Sequence, residues 1–233
     1  LSLLESTPTY LNDIKAKYET LCGSKVNMQL VIPVDMNKDG KVDLLTNLWC
    51  ATPSGQTNTN PVPNTLLVLT QEGRMTFKDS TFEILGSNMV DIGGVAHRYV
   101  KYDFNNDGYE DIVYAVNMED GRTNSTTLVQ NVAVMSNGNG TYSVVKIGTA
   151  ASTQNVTLKD NSLGSKDVVM MPTNEVWRYN NGWSKVDTYD WIGYVETVFA
   201  PSPGQFHGSE MAFVQDVAST DYSLYKYVDG QWL

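Results

Sequence analysis

Asp35-Met-Asn-Lys-Asp-Gly-Lys-Val-Asp43 and Asp103-Phe-Asn-Asn-Asp-Gly-Tyr-Glu-Asp111 agree at positions 1, 3, 5, 6 and 9 of a nine-residue stretch. Each is followed at once by an apolar pair, Leu44-Leu45 in the first and Ile112-Val113 in the second. A hard cation such as Ca²⁺ takes roughly six to eight oxygens at about 2.3–2.6 Å. The D-x-N-x-D-G-x-x-D spacing lets side chains at positions 1, 3 and 5 turn inward while the chain wraps around an ion. The glycine at position 6 permits the sharp turn, position 7 offers a backbone carbonyl (Lys41 or Tyr109), and position 9 adds a carboxylate. An isolated acidic loop of this kind is equally a solvated turn, because Asp and Asn are natural turn residues. Two that agree at five positions favour the metal site. An EF-hand needs a Glu at position 12 and flanking helices. Position 12 is Thr46 or Tyr114 here and the flanks read as strands, so that module is excluded.

Outward from the loops, the chain is strand-like. Val26–Val34, Val42–Trp49, Leu66–Thr70, Tyr99–Tyr102, Ile112–Val116, Leu128–Met135 and Tyr142–Ile147 are short, rich in β-branched residues, and separated by turn signals. They fall into a recurring unit: strand, glycine loop, apolar strand, then a hairpin with a glycine turn and an aromatic. The turns are Gln71–Phe77 and Ser136–Tyr142 in the first two units. Weaker versions follow. Asp160–Asp167 has the turn Tyr179–Trp183, and His207–Val214 has the turn Tyr227–Trp232. These later loops lack the full acidic set, so no metal is expected there. Units of about 26–90, 91–150, 151–192 and 193–233 follow, with Thr52–Asn64 as a long exposed loop in the first. Residues 1–25 form a separate helical segment. Thr7 caps it, Pro8 opens it, Gly23 ends it, and Tyr10, Leu11, Ile14, Tyr18 and Leu21 make its apolar face. No second helix is expected. The fold class is all-β: a β-propeller-like array of about four small antiparallel blades with one short N-terminal helix.

The two acidic loops and the Asn-Gly-Asn-Gly-Thr-Tyr142 turn make the chain resemble the FG-GAP and VCBS-like repeat family. Its members are calcium-binding propeller blades of integrin α-subunit heads and many secreted bacterial proteins. The resemblance covers about residues 26–148 and thins beyond, and the literal FG and GAP motifs are missing. It implies one ion held by Asp35, Asn37, Asp39, the Lys41 carbonyl and Asp43. A second would be held by Asp103, Asn105, Asp107, the Tyr109 carbonyl and Asp111, making about two Ca²⁺ per chain. Family propellers have about seven blades, so four imply a fragment, a small divergent propeller or an incomplete ring.

Composition bounds the function. The net charge of -10 argues against nucleic acid as a partner, since phosphate binding needs clustered Lys and Arg. No run of about 18 apolar residues exists to span a membrane as a helix. The chain begins Leu1-Ser2-Leu3, with neither a starting Met nor a signal peptide, as in a processed protein or a piece of a longer one. Abundant Asn, Thr, Ser, Gly and Tyr with few Lys point outside the cell, where Cys22 and Cys50 would pair; two buried free thiols are the alternative. The sequons at Asn124, Asn139 and Asn155 matter only in a eukaryotic source. His97 and His207 read as structural histidines rather than ligands, and two distant histidines make no zinc site. Trp177, Tyr179, Trp183, Tyr225, Tyr227 and Trp232 fit blade packing better than sugar stacking. No nucleophile elbow, phosphate loop or acid/base pair stands out. The expectation is therefore a calcium-stabilised, non-enzymatic extracellular or cell-surface module for adhesion, recognition or assembly, with a protein or glycan ligand or self-association. The alternatives are a propeller domain of a secreted polysaccharide-active enzyme and a structural subunit of a surface filament.

Overall fold

A computed structural model describes residues 9–23, 25–50, 64–74, 76–117, 129–151, 153, 155–171, 173–189, 194–199, 211–215, 222–228 and 231–232. Beyond residue 189, and at Thr9, Tyr10, Val95 and His97, only the backbone course is described. After one helix, α1 (Thr9–Cys22), the chain forms four meandering antiparallel sheets of four strands each. Sheet 1 is β1 (Val26–Val34), β2 (Asp43–Cys50), β3 (Thr65–Gly73) and β4 (Thr76–Asp79). Sheet 2 is β5 (Val95–Tyr102), β6 (Asp111–Asn117), β7 (Val129–Ser136) and β8 (Tyr142–Ala151). Sheet 3 is β9 (Asn155–Asp160), β10 (Lys166–Met171), β11 (Glu175–Tyr179) and β12 (Trp183–Thr188). Sheet 4 is β13 (Tyr194–Phe199), β14 (Met211–Gln215), β15 (Tyr222–Val228) and β16 (Gln231–Trp232). The all-β expectation holds. The expectation of a single helix does not: Thr81–Leu85 forms a one-turn helix, α2, closed by Gly86 in the left-handed region. Five residues are too few to show a helical period, which is why the sequence hides it.

Side-chain alternation explains how the sheets stack. On β6, Ile112, Tyr114 and Val116 enter one apolar cluster with Leu45, Leu66 and Val68 of sheet 1. The intervening Val113 and Ala115 enter a second cluster with Val156, Val168 and Met170 of sheet 3. On β7, Val132 and Val134 take the first side and Ala133 and Met135 the second. Both faces of sheet 2 are thus buried, which is why its central strands read as continuous apolar runs rather than polar–apolar alternation. In sequence order the first strands lie against each other: β1 with β5, β5 with β9, β9 with β13.

The other face of sheet 1 is covered by α1. Leu44, Leu48, Leu67 and Leu69, on the face turned away from sheet 2, pack with Tyr18 and Ile14 of the helix. Cys22 at the end of α1 is bonded to Cys50 at the end of β2, with 5.6 Å between the Cα atoms. The Tyr18 hydroxyl bonds Thr81 Oγ1 at 3.0 Å, tying α1 to α2. A mostly apolar cavity of about 280 Å³ remains between α1 and sheet 1, lined by Leu11, Ile14, Val26, Met28 and Leu67 among others. Thr7 and Pro8, the expected helix start, lie outside the described residues, while Gly23 takes φ +64° at the expected end. No described helix is long and apolar enough to cross a membrane.

Candidate metal centre

Loop 1 (residues 35–43) joins β1 to β2, and loop 2 (residues 103–111) joins β5 to β6. Their backbone amide-to-side-chain hydrogen bonds correspond atom for atom. At position 1, Asp35 Oδ1 accepts from the Asp39 amide (3.2 Å) and Oδ2 from the Gly40 amide (3.0 Å). Asp103 does the same with the Asp107 (3.0 Å) and Gly108 (2.8 Å) amides. At position 3, Asn37 Oδ1 accepts from Asp39 N and Asn105 Oδ1 from Asp107 N. At position 5, Asp39 accepts from Lys41 N (2.9 Å) and Asp107 from Tyr109 N (2.8 Å). Positions 4 and 6 take positive φ in both loops: Lys38 at 61° with Gly40 at 81°, and Asn106 at 58° with Gly108 at 86°. Side chains 1, 3 and 5 therefore all reach the concave side of a loop wrapped around them. A carboxylate oxygen bonded to one amide keeps a further lone pair for another partner.

Position 9 does different work. Asp43 is fully buried, and its oxygens accept from Met36 N (3.0 Å) and from Gln71 N (2.9 Å) on β3. Asp111 is also fully buried and accepts from Phe104 N (2.8 Å) and from Ser136 N (2.7 Å) at the end of β7. Each thus fastens its loop to the third strand of its own sheet. Position 2, turned inward by this bond, plugs a core: Met36 the cluster between sheets 1 and 2, Phe104 the cluster toward sheet 3. Burial raises the Asp43 carboxyl above its ordinary range against the two amide bonds, and Asp39 and Asp35 add to the rise. Burial pushes the Asp111 carboxyl up to about 6, with the Ser136 and Phe104 amides opposing and Asp107 reinforcing. Among the described residues, the nearby buried Tyr142 hydroxyl has no hydrogen-bond partner. Burial and then the charge of Asp111 and Asp107 raise its pKa. Each loop thus holds one buried carboxylate, Asp43 or Asp111, close to less buried ones whose charge acts against its ionisation, Asp39 and Asp35 in loop 1 and Asp107 in loop 2.

Among the described residues no group of three or more His, Cys, Asp or Glu side chains is placed to hold one ion. The reason is visible in the geometry. Positions 1 and 5 supply two carboxylates and position 3 an amide, while the ninth carboxylate is turned to backbone amides. The chemistry of the donor set, all oxygen with an amide, a carbonyl and carboxylates, still fits a hard cation. The loops differ in their surroundings. In loop 1 the Lys41 ammonium stands 3.0 Å from Asp39, and its bond to Asp39 holds that carboxyl below the usual range. In loop 2, Asn105 Nδ2 donates to Asp107 (3.0 Å) and to the Ser136 carbonyl (2.9 Å), so the loop rests on its own hairpin.

In the third loop (residues 160–167) the same position is satisfied by a cationic side chain instead. Asp167, nearly fully buried, receives both Arg178 Nε and Nη2 at 2.8 Å, with Asn161 Nδ2 at 2.9 Å. A fixed guanidinium from β11 thus stands beside the carboxylate. The sequence missed Gln71, Ser136 and Arg178 as partners. The first two could have been found, since both stand two residues before a hairpin glycine, Gly73 or Gly138. His97 falls on β5 at a bulge between Ala96 and Arg98, and His207 lies outside the described residues. Of the hairpin aromatics, Trp183 packs edge-on against Phe104 (5.0 Å between centroids) and Tyr179 (5.5 Å), and the rings beyond residue 189 are not described. Compared with known proteins, the chain matches no family model and no curated sequence.

Proposed function

We propose that this chain is a calcium-stabilised, β-propeller-like extracellular module that binds a protein or glycan ligand, or assembles, and is not itself an enzyme. Asp35, Asn37, Asp39, the Lys41 carbonyl and Asp43 would hold one Ca²⁺, and Asp103, Asn105, Asp107, the Tyr109 carbonyl and Asp111 the second. Each ion would supply the positive charge that Arg178 supplies in sheet 3 and would cross-link a loop to its strands. The observation that carries this reading is the matching hydrogen-bond skeleton of the two loops, down to positive φ at positions 4 and 6. The blade arrangement is supported by first strands that succeed one another against the next sheet. The extracellular placement is supported by the Cys22–Cys50 disulfide, a bond that persists in oxidising compartments. A polar recess of about 370 Å³ beside loop 1, lined by Asn37, Asp39, Lys41, Gln71, Glu72 and Lys78, gives the loop end of sheet 1 a place for a ligand.

The test is a thermal melt of the chain with millimolar-scale calcium against excess chelator, together with metal content by mass spectrometry. Binding to the folded state alone stabilises by about 2.7 kcal/mol at 100 times the dissociation constant. About two ions per chain, one lost in Asp39→Ala and one in Asp107→Ala, is the expected result. Neither a shift nor bound metal would leave the loops as solvated turns and remove the reading.

A further inference from the structure

The Asn137–Thr141 hairpin turn between β7 and β8 belongs to sheet 2 but serves both loops. On one side Gly138 stands against the Asp107 side chain of loop 2: a methyl group placed on it would sit 3.5 Å from Oδ2. On the other side the same placement on Gly140 meets the Asn37 Cα of loop 1 at 3.7 Å. Both glycines take positive φ, 73° and 82°, and lack a side chain at the two points where the turn meets the loops. A second bridge bypasses the hairpin. Lys38, at position 4 of loop 1, lays its ammonium 5.2 Å from the centroid of the Tyr109 ring, at position 7 of loop 2. A third runs through Lys101 on β5, which donates to the Pro33 carbonyl at the foot of loop 1 (2.9 Å) and to Glu110 of loop 2 (2.8 Å).

We propose that the two loops take up their cations as a coupled pair, loop 2 first, with the filled loop 2 preparing loop 1. This rests on the calcium reading above. The order follows from the surroundings. Loop 2 is the more covered, and Asn105 anchors it to Ser136, whereas loop 1 is the more exposed and its Asp39 is engaged by Lys41. The coupling follows from the bridges. An ion drawing on the Tyr109 carbonyl fixes the residue whose ring carries Lys38, and Lys38 sits between the ligands Asn37 and Asp39. A loop already held in place loses less conformational freedom when its own ion arrives, and this gives positive cooperativity without a change of fold. Linkage then requires the effect to be mutual.

The experiment is calorimetric titration of the full chain with calcium at fixed ionic strength. It compares the unaltered protein with Asp107→Ala, Asp39→Ala and Lys38→Met. Lys38 contributes no expected ligand, so its variant keeps both donor sets. Coupling predicts two ions with a cooperative isotherm, and a weakening of the surviving loop 1 site by about fivefold or more in Asp107→Ala. Asp39→Ala should weaken loop 2 by the same factor, and Lys38→Met should keep both ions but bring the isotherm toward two independent sites. Two ions whose affinities ignore each other in every variant would overturn the coupling and leave the calcium reading standing. No bound calcium at all would overturn both. Should Asp107→Ala fail to fold, the Lys38→Met comparison decides alone.

Discussion

At the scale of single residues, what matters is how a buried carboxylate at the head of a second strand is kept satisfied. Asp43 and Asp111 rely on backbone amides from two directions, and Asp167 relies on Arg178. Among the described residues, removing the guanidinium leaves the buried Asp167 with Asn161 as its remaining side-chain partner. Losing one partner of such a pair costs more than the pair is worth, because the remaining charge stays desolvated. Arg178 is about a quarter exposed, so the loss falls short of that for a fully buried pair. Arg178→Met should lower stability by about 2 kcal/mol in urea unfolding, and adding Asp167→Asn should recover part of it. A loss under about 0.5 kcal/mol, the usual bound for an uninvolved surface position, would mean that Asp167 finds other partners. The sequence made the acidic residues legible because metal-like spacing is local. It hid their partners because Gln71 lies 28 residues from Asp43 and Ser136 lies 25 from Asp111.

Among elements, seven of the eight strands of the first two sheets were legible from β-branched runs between turn signals, and their edges shifted by only a few residues. β4 was not, because its four residues begin inside the expected turn Gln71–Phe77. Nor were the bulges. Leu30 is forced to φ 45° between Gln29 and Val31 on β1, and His97 is the extra residue on β5. Neither has a sequence mark, because a bulge answers to twist and packing rather than to residue type. Close approach of backbones was equally hidden. At Gly94, just before β5, a Cβ would stand 2.3 Å from the Asn117 carbonyl oxygen at the end of β6. The obstacle is backbone on a paired strand and cannot swing aside. Gly94→Ala should therefore move the start of β5 and destabilise by about 1–3 kcal/mol, the ordinary cost of overpacking. Gly40→Ala would not be a fair control, since Gly40 needs positive φ. Gly73→Ala, where the nearest side-chain atoms lie 3.9 Å away, is, and it should cost far less. Equal melting of the two variants would show that the β5–β6 end yields easily.

For the whole molecule, the number of sheets could be anticipated from the recurring turns, but the place of α1 could not. The apolar stripe of α1 announces a buried face without saying what it covers. The packing shows that it covers sheet 1 on the side where sheets 2 and 3 each receive their predecessor. In an array whose units bury themselves only against neighbours, a sheet face that meets no further sheet needs a cover with a polar outer side. The helix is built for that, with Asn12, Asp13, Lys15, Ala16 and Lys17 exposed and Tyr18 buried. The disulfide keeps the cover in place. Closing a 28-residue separation is worth about 3–4 kcal/mol in the chain-entropy account. A chain lacking residues 1–25, with Cys50→Ser to remove the stranded thiol, should uncover Leu44, Leu48, Leu67 and Leu69 as one apolar face. Light scattering after size exclusion should then show self-association that grows with concentration, because an exposed stacking face of this kind accepts another copy. The acidic loops lie outside the deleted segment, so calcium uptake should persist in whatever fraction folds. A truncated chain that stays monomeric and melts where the intact one does would mean that α1 is an appendage. Sheet 1 would then have to be covered by something else, and an approach of sheet 4 that closes the ring would be the first arrangement to examine.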